Sequence, residues 1–161
     1  MTQARQLIKV SFEQIGLVAP LFDAYRQFYG QKPNLEGARQ FLFERAQRDQ
    51  SVIFAVVEHD NALGFTQLYP SFSSVSMKPI WILNDLFVVE GARRRGIGEQ
   101  LLTAATAFAM KTGAVRLELS TAIDNVKAQA LYHRLGWKRE AAFFHYEFEI
   151  DRDSRDTNKA Q

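Results

Sequence analysis

The segment Glu90–Leu102, "EGARRRGIGEQLL", places consecutive arginines beside two glycines and then runs into leucines. An apolar strand pattern ends at Val89 and an apolar helical pattern begins near Gly98, so a tight turn is expected between them. Free amide groups at a helix start attract anions, and glycines let an anion approach the backbone closely. The segment predicts a turn that holds a phosphate group through its main chain. A basic patch for nucleic acid and an exposed helix start without function are the alternatives that it leaves open.

Two known phosphate-binding motifs do not fit the glycines of this turn. The dinucleotide motif G-x-G-x-x-G is matched at Gly96 and Gly98, but Leu101 stands at its third glycine position. The P-loop motif G-x-x-x-x-G-K-[ST] finds its glycine spacing at Gly91 and Gly96. Ile97 and Gly98 then stand where it needs a lysine and a hydroxyl residue. The turn therefore suits a diphosphate that is held without metal-assisted chemistry.

The composition is that of an ordinary globular protein, and it excludes several kinds of chemistry. The 161 residues are 47% hydrophobic and 24% charged, which predicts one domain over residues 1–150 and a polar, disordered tail over 151–161. A formal charge of +2 is too small to predict a nucleic-acid or membrane partner. The absence of cysteine excludes disulfides and thiolate nucleophiles, and no histidine has a partner at metal-ligand spacing. With no signal peptide and no membrane-span pattern, we expect a cytoplasmic protein.

Strand and helix patterns alternate around the turn and predict an α/β (or α+β) fold with a mixed sheet. The predicted strands are "QLIKVSF", Ser51–Glu58, "LGFTQLY", Ile80–Val89, "AVRLELS", "WKR" and "FFHYEFEI". The predicted helices are Glu13–Tyr29, a helix capped by Asn34, the helix after the glycine turn, and Asn125–Leu135. The segment "PSFSSVSMKP" is bounded by prolines and is predicted to be a loop or a frayed edge.

Two motifs resemble those of the GCN5-related N-acetyltransferase (GNAT) family. Arg93-x-x-Gly96-x-Gly98 resembles the acyl-CoA signature Q/R-x-x-G-x-G/A, between an apolar strand and an apolar-striped helix. About 40 residues downstream, "DNVKAQALYHRLGW" resembles the second motif, an Asn before a helix that carries Tyr and ends in Leu-Gly-aromatic. "IWILNDLFVVEGARRRGIG" is particularly similar to the polyamine- and histone-acetylating subgroup. The resemblance implies a GNAT fold, with a mostly antiparallel sheet of about seven strands, about four helices and a splay between the two central strands.

The resemblance also implies the reaction and the cofactor. An acetyl group would pass from acetyl-CoA to a primary amine, small, polyamine-like or lysine-like, by direct attack in a ternary complex. The protein would be a homodimer with no nucleic-acid or membrane partner. The implied cofactor-binding residues are Leu86, Phe87, Val88, Arg93, Arg94, Arg95, Gly96, Ile97, Gly98, Glu99, Asn125 and Ala128.

Tyr132 and Asp85 are the candidate catalytic residues. The resemblance gives Tyr132 the role of proton donor to the leaving thiolate, although its place on an apolar helix stripe is also that of a core aromatic residue. Strand alternation places Asp85 on one face with Phe87, where its carboxylate would take the ammonium proton. A structural carboxylate bonded to a neighbouring strand is the alternative for Asp85.

The amine acceptor is expected to bind Tyr29, Asn84 and Asp85, because aromatic faces and carboxylates attract cations. Asn84 lies on the opposite strand face from Asp85, where related polyamine enzymes often carry Glu, and so departs from that subgroup. The competing hypotheses are a non-catalytic acyl-CoA-binding sensor on the same fold and a nucleic-acid binder that uses the arginines. Glu90 and Glu99 bracket those arginines and disfavour the nucleic-acid hypothesis.

Overall fold

A mixed sheet of five strands organises the residues that the computed structural model describes, 4–150. The strands are β1 (Gln6–Lys9), β2 (Val52–Glu58), β3 (Asn61–Ser73), β4 (Lys78–Val88) and β5 (Leu117–Glu118). They lie side by side in chain order, antiparallel from β1 to β4 and parallel between β4 and β5. The helices are α1 (Ile15–Phe28), α2 (Leu35–Gln47), α3 (Ile97–Lys111) and α4 (Val126–Arg134).

The chain divides after Val126 into two compact units. The first contains the sheet and helices α1 to α3, and the second contains α4 after its first residue together with the residues that follow. The predicted tail, residues 151–161, lies outside the described residues. Across the described 4–150 range, no helix is both long and apolar enough to cross a membrane.

The helix limits agree with the caps that the sequence predicts. The Asn34 side chain accepts a hydrogen bond from the Gly37 amide at 2.9 Å, which satisfies a free donor at the start of α2. Gly113 follows α3 with φ 74°, and Gly136 follows α4 with φ 86°. Left-handed residues of this kind commonly end helices, so Gly113 and Gly136 account for the two helix ends.

The proline-bounded segment "PSFSSVSMKP" was predicted to be a loop or a frayed edge, and the loop prediction is wrong. Its first four residues complete β3 and its last two begin β4, with a tight turn between the two strands. Pro70 pairs with Trp81 of β4. Pairing between β2 and β3 ends at Leu68, so Pro70 lies where β3 is an edge strand, and an edge tolerates the missing amide hydrogen.

The prediction of about seven strands is also wrong, since the described residues contain five. The segments "WKR" and "FFHYEFEI" have no regular structure. Phe144, Tyr146, Phe148 and Ile150 alternate along the second segment and are 68–90% exposed. An alternating pattern forms a strand only when a neighbour accepts its hydrogen bonds and a layer covers its apolar face. The predicted strand "AVRLELS" likewise shrinks to the two residues of β5.

The sheet carries α1 and α2 on one face and α3 on the other. Phe22 and Leu42 pack with Phe65 in the first core, and Leu101 packs with Val56 in the second. Residues of opposite faces alternate along β2 and β3, as expected for strands buried on both sides.

Gly64 lets α3 approach β3 closely. A Cβ atom at Gly64 would lie 2.9 Å from Ile97 Cγ2 and 3.0 Å from the Phe87 carbonyl oxygen. Ile97 is the first residue of α3, so this contact fixes where the helix begins relative to the sheet.

Candidate active site

The glycine turn joins β4 to α3 at the predicted place. A short 3-10 turn, Glu90–Ala92, follows β4, and α3 begins at Ile97. Arg94 has φ 64° and Gly96, the residue before α3, has φ 75°. Left-handed residues at alternate positions turn successive amides toward one side of the chain, which is the geometry of an anion-binding concavity.

The amides of this turn are open. Within residues 4–150, the amides of residues 94–98 donate to no carbonyl and to no side chain. The amides of Ala92 and Arg93, by contrast, donate to the carbonyls of Val89 and Glu90 at 2.9 and 3.2 Å. The helix dipole of α3 adds a partial positive charge at the same place. A diphosphate fits this arrangement, because its oxygens each accept several hydrogen bonds.

The three arginines of the turn have different surroundings. Arg93 Nε donates to the Val88 carbonyl at 3.1 Å, so its side chain folds back on the end of β4. The Arg94 side chain is exposed, and no hydrogen bond or ion pair joins it to any other part of the described chain. Of the three guanidinium groups, that of Arg94 is the one available to an incoming anion.

Arg95 anchors the turn to the first two strands. Its Nη2 lies 2.9 Å from Glu58 Oε1 at the end of β2, and its carbonyl accepts a hydrogen bond from Arg5 Nη1 at 3.0 Å. Glu58 and Arg5 were not predicted as neighbours of the turn, since these contacts join residues 37 and 90 positions apart. No local pattern in the sequence indicates them.

Among the described residues, the end of β4 has backbone groups without a strand partner on one side. Pairing with β5 covers only Trp81 and Ile82, whereas pairing with β3 continues to Val88. The Val88 carbonyl turns away from β3 to meet Arg93, and alternation directs the backbone groups of Leu86 to the same side. Phe87 directs its backbone groups toward β3. Leu86 and Val88 thus present main-chain groups where β5 has ended.

Asp85 lies inside the sheet layer and is 2% exposed. Its Oδ2 accepts a hydrogen bond from Gln67 Nε2 at 2.5 Å, and its Oδ1 accepts one from Asn84 Nδ2 at 2.9 Å. Burial raises the pKa of the Asp85 carboxyl, and the hydrogen bonds from Gln67, Asn84 and Tyr25 act in the opposite direction. Asp85 is therefore a carboxylate held by hydrogen-bond donors and shielded from bulk solvent.

A β-bulge explains how Asn84 reaches its neighbour. The register passes from Gln67 opposite Asp85 to Leu68 opposite Leu83, which leaves Asn84 without a partner on β3. Alternation predicted Asn84 on the other face, but the bulge brings its side-chain amide to Asp85. Asn84 and Asp85, which were both expected to bind the acceptor, are thus joined by a hydrogen bond.

Aromatic side chains of α1 border the bulge. The Tyr25 hydroxyl donates to the Asn84 carbonyl at 3.3 Å, and the exposed Tyr29 ring lies 5.0 Å from the Tyr25 ring. Burial and the nearby Asp85 charge raise the pKa of both Tyr25 and Tyr69. Neither Tyr25 nor Gln67 was predicted as a site residue. A polar residue at an inward position of an apolar strand was the available signal for Gln67.

The residues predicted from the second motif lie on α4 and directly before it. Tyr132 lies half-buried on α4, its ring centroid 6.1 Å from that of Trp137, and its carbonyl accepts the Trp137 amide at 2.9 Å. Ala128 lies one turn earlier on the same helix, and Asn125 directly precedes the helix. The predicted helix, Asn125–Leu135, is confirmed to within one residue at each end.

Strand β4 ends in a turn whose amides are free, and helix α3 follows. This arrangement is typical of an α/β protein that binds a phosphate-bearing cofactor. Residues 18–137 match the model of the acetyltransferase (GNAT) family. The chain belongs to this family, and it is an acetyltransferase whose cofactor is acetyl-CoA.

Individual relatives agree with this assignment. An uncharacterized N-acetyltransferase of Bacillus subtilis is 50% identical over 80% of this chain and 87% of its own length. A probable acetyltransferase of Haemophilus influenzae is 39% identical over 70% of this chain and 77% of its own. The crystal structure of another probable acetyltransferase superposes with a TM-score of 0.86 at 43% identity, over 91% of this chain and 98% of that one. These similarities do not support the narrower polyamine- and histone-acetylating subgroup.

Proposed function

We propose that this acetyltransferase acetylates the primary amine of a small or lysine-like acceptor, by direct attack of the amine within a ternary complex. The observation that carries the proposal is the row of open amides at residues 94–98, beside a strand end whose backbone is unpaired. When bound, acetyl-CoA supplies the acetyl thioester that the amine attacks. The chain's own residues must hold the diphosphate, align the carbonyl, take up a proton and supply one to the leaving sulfur.

The turn and the following helix hold the cofactor in this proposal. The diphosphate is held by the main chain of Arg94, Arg95, Gly96, Ile97, Gly98 and Glu99, and Arg93 begins the motif. Gly96 supports this role through its left-handed φ of 75°, and the exposed Arg94 adds charge without occupying the amides. Asn125 and Ala128 contact the cofactor at the start of the second motif.

The end of β4 aligns the acetyl carbonyl. Leu86 and Val88 direct backbone groups toward the side where β5 has ended, so one of their amides can donate to the carbonyl oxygen. A fixed amide donor stabilises the negative charge that develops on this oxygen in the transition state. Phe87 contributes its side chain rather than its amide, since its backbone groups face β3.

Asp85 accepts the proton of the acceptor ammonium group. Its burial raises the pKa of the carboxyl, which brings it closer to the operating pH than that of an exposed aspartate. Because Asp85 is 2% exposed, the proton arrives through a water molecule on the side of the exposed Asn84. Tyr132 holds a proton at its Oη for the departing sulfur, the role that the second motif implies.

The acceptor binds beside the β4 bulge, against Tyr29 and Asn84. The Tyr29 ring is 58% exposed and offers an aromatic face, and Asp85 on β4 offers a negative charge. This pair of features suits a cationic amine.

A thiol-release assay tests the proposed function. Purified protein with acetyl-CoA is presented with polyamines, amino acids, aminoglycosides and histone-tail peptides, and mass spectrometry identifies the acetylated product. We expect at least one amine class to accelerate thiol release, with one acetylated amine formed per thiol. Binding of acetyl-CoA without amine-dependent release would overturn the proposal in favour of an acyl-CoA-binding sensor.

We also propose that the protein is a homodimer that pairs through residues 143–150. Large apolar side chains at every second position of this segment are exposed, and a second copy would cover them. Light scattering of the wild-type protein should give twice the mass of one chain, and Phe148→Lys should give a single chain. A wild-type monomer at micromolar concentration would contradict this pairing.

A further inference from the structure

Tyr25 links α1 to the β4 bulge through its hydroxyl group. The Oη atom donates to the Asn84 carbonyl at 3.3 Å. A phenol has a single hydrogen, and Tyr25 gives it to the carbonyl of the bulged residue. The same hydroxyl group lowers the pKa of the neighbouring Asp85 carboxyl, so it acts on both residues assigned to the acceptor side of β4.

The ring of Tyr25 is held in place by its neighbours. It makes edge-to-face contacts with Phe65 at 6.1 Å and with Phe87 at 6.3 Å, and it stacks against Phe22 at 6.4 Å between ring centroids. Edge-to-face pairs fix ring orientation as well as burying area. The position of the hydroxyl is thus set by the packing of α1 on the sheet and not by the flexible surface.

The bulge itself has few other restraints. Asn84 has no partner on β3, and its side chain is engaged with Asp85. A bulge weakens the local ladder, so a hydrogen bond to its carbonyl contributes more to its geometry than the same bond inside a regular strand.

We propose that Tyr25 is a positioning residue for acetyl transfer, which fixes the β4 bulge and with it the orientation of the Asp85 carboxylate toward the acceptor amine. The proposal rests on the proposed function, in which Asp85 takes up the ammonium proton. Tyr25 acts through Asp85 and Asn84 and does not itself contact the reacting atoms.

The groups that face Asp85 determine the expected pH effect. They are Tyr25 from α1, Gln67 and Tyr69 from β3, and Asn84 from β4, with Tyr29 beside Tyr25 and Arg45 of α2 near Tyr69. The Tyr25 hydrogen bond lowers the pKa of Asp85 against the larger effect of burial. Loss of the hydroxyl therefore raises this pKa further, and Asp85 stays protonated to a higher pH.

The test compares Tyr25→Phe with Tyr69→Phe. Both variants remove one phenol hydroxyl near Asp85, but the hydrogen bonds that lower the pKa of Asp85 include one from Tyr25 and none from Tyr69. For Tyr25→Phe we expect kcat to fall about tenfold, the loss typical of one hydrogen bond to a charged group, with the KM for acetyl-CoA within about twofold. The acid limb of its kcat/KM profile should move to higher pH, whereas that of Tyr69→Phe should stay in place.

A measurement without turnover separates this proposal from the proposed function. Carbon-13 NMR titration of the Asp85 carboxyl, assigned with Asp85→Asn, should show a higher pKa in folded Tyr25→Phe than in the wild type or in Tyr69→Phe. An unchanged pKa, or equal shifts in both variants, would overturn the positioning role even if the enzyme is active. If the titration shifts as expected but no amine is acetylated, the proposed function fails and the Tyr25–Asp85 coupling stands.

Discussion

The glycine turn lies close in the sequence to Asp85 and Asn84, which form a hydrogen-bonded cluster with Gln67. The turn and this Asp85 cluster are built in opposite ways. The turn is exposed and offers main-chain amides, and the Arg94 side chain makes no hydrogen bond or ion pair inside the described chain. The cluster is buried and depends on side chains, because Asp85 is held by Gln67 and Asn84. A site made of backbone should tolerate new side chains but not new φ angles. A site made of side chains should respond to the loss of a single atom.

The largest expected effect concerns Asp85. Asp85→Asn keeps the shape of the side chain but removes the proton acceptor, so kcat should fall by about 10²–10⁴-fold. The acetyl-CoA dissociation constant should stay within about twofold, because the turn is unchanged. Steady-state kinetics and calorimetric titration measure the two quantities. A parallel loss of acetyl-CoA affinity would mean that the two regions are not independent.

An intermediate effect is expected at Gly96. Gly96→Ala places a side chain at φ 75°, where a non-glycine residue costs about 1–2 kcal/mol, and acetyl-CoA binding should weaken about 5- to 30-fold. Gly91→Ala is the matched control, since nothing lies within 4 Å of its added Cβ and its φ is not left-handed. Equal affinities for the two variants, measured by titration calorimetry, would break the argument that backbone geometry makes this site.

The smallest effects are expected for the arginine side chains. Arg94→Ala leaves the amide in place and should weaken acetyl-CoA binding by less than about threefold at physiological salt. Arg95→Ala removes the partly exposed ion pair with Glu58 and should lower the free energy of unfolding by about 0.2–1 kcal/mol. Titration and chemical denaturation measure these changes. A loss of tenfold or more for Arg94→Ala would assign the binding to charge rather than to the main chain.

Local features of the fold were predictable, and features that join distant segments were not. The glycine turn, the Asn34 cap and the stop at Gly113 follow from residue types at adjacent positions. The contact between Tyr25 and Asn84 spans 59 positions, and a bulge such as the one at Asn84 has no fixed sequence signature.

The strand count failed for a related reason. "FFHYEFEI" has the alternation of a strand, but alternation states which face is apolar and not whether a neighbouring strand is present. The prolines of "PSFSSVSMKP" led to the opposite error, because strands form where a loop was predicted. The energetic cost of a proline in a strand depends on whether a neighbouring strand needs the amide hydrogen that proline lacks. Both errors concern the partner of a segment rather than the segment itself.

Helix α3 approaches β3 closely at Gly64, so the residues that β3 can carry at position 64 are limited by the cofactor chemistry of another part of the chain. Any larger residue would push against Ile97 and the Phe87 carbonyl, and so displace the first turn of α3 from the strand beside it. In a saturation library selected for acetyl transfer, position 64 should therefore be depleted of every replacement, alanine included, although it lies in a different strand from the reacting groups and carries no functional group of its own.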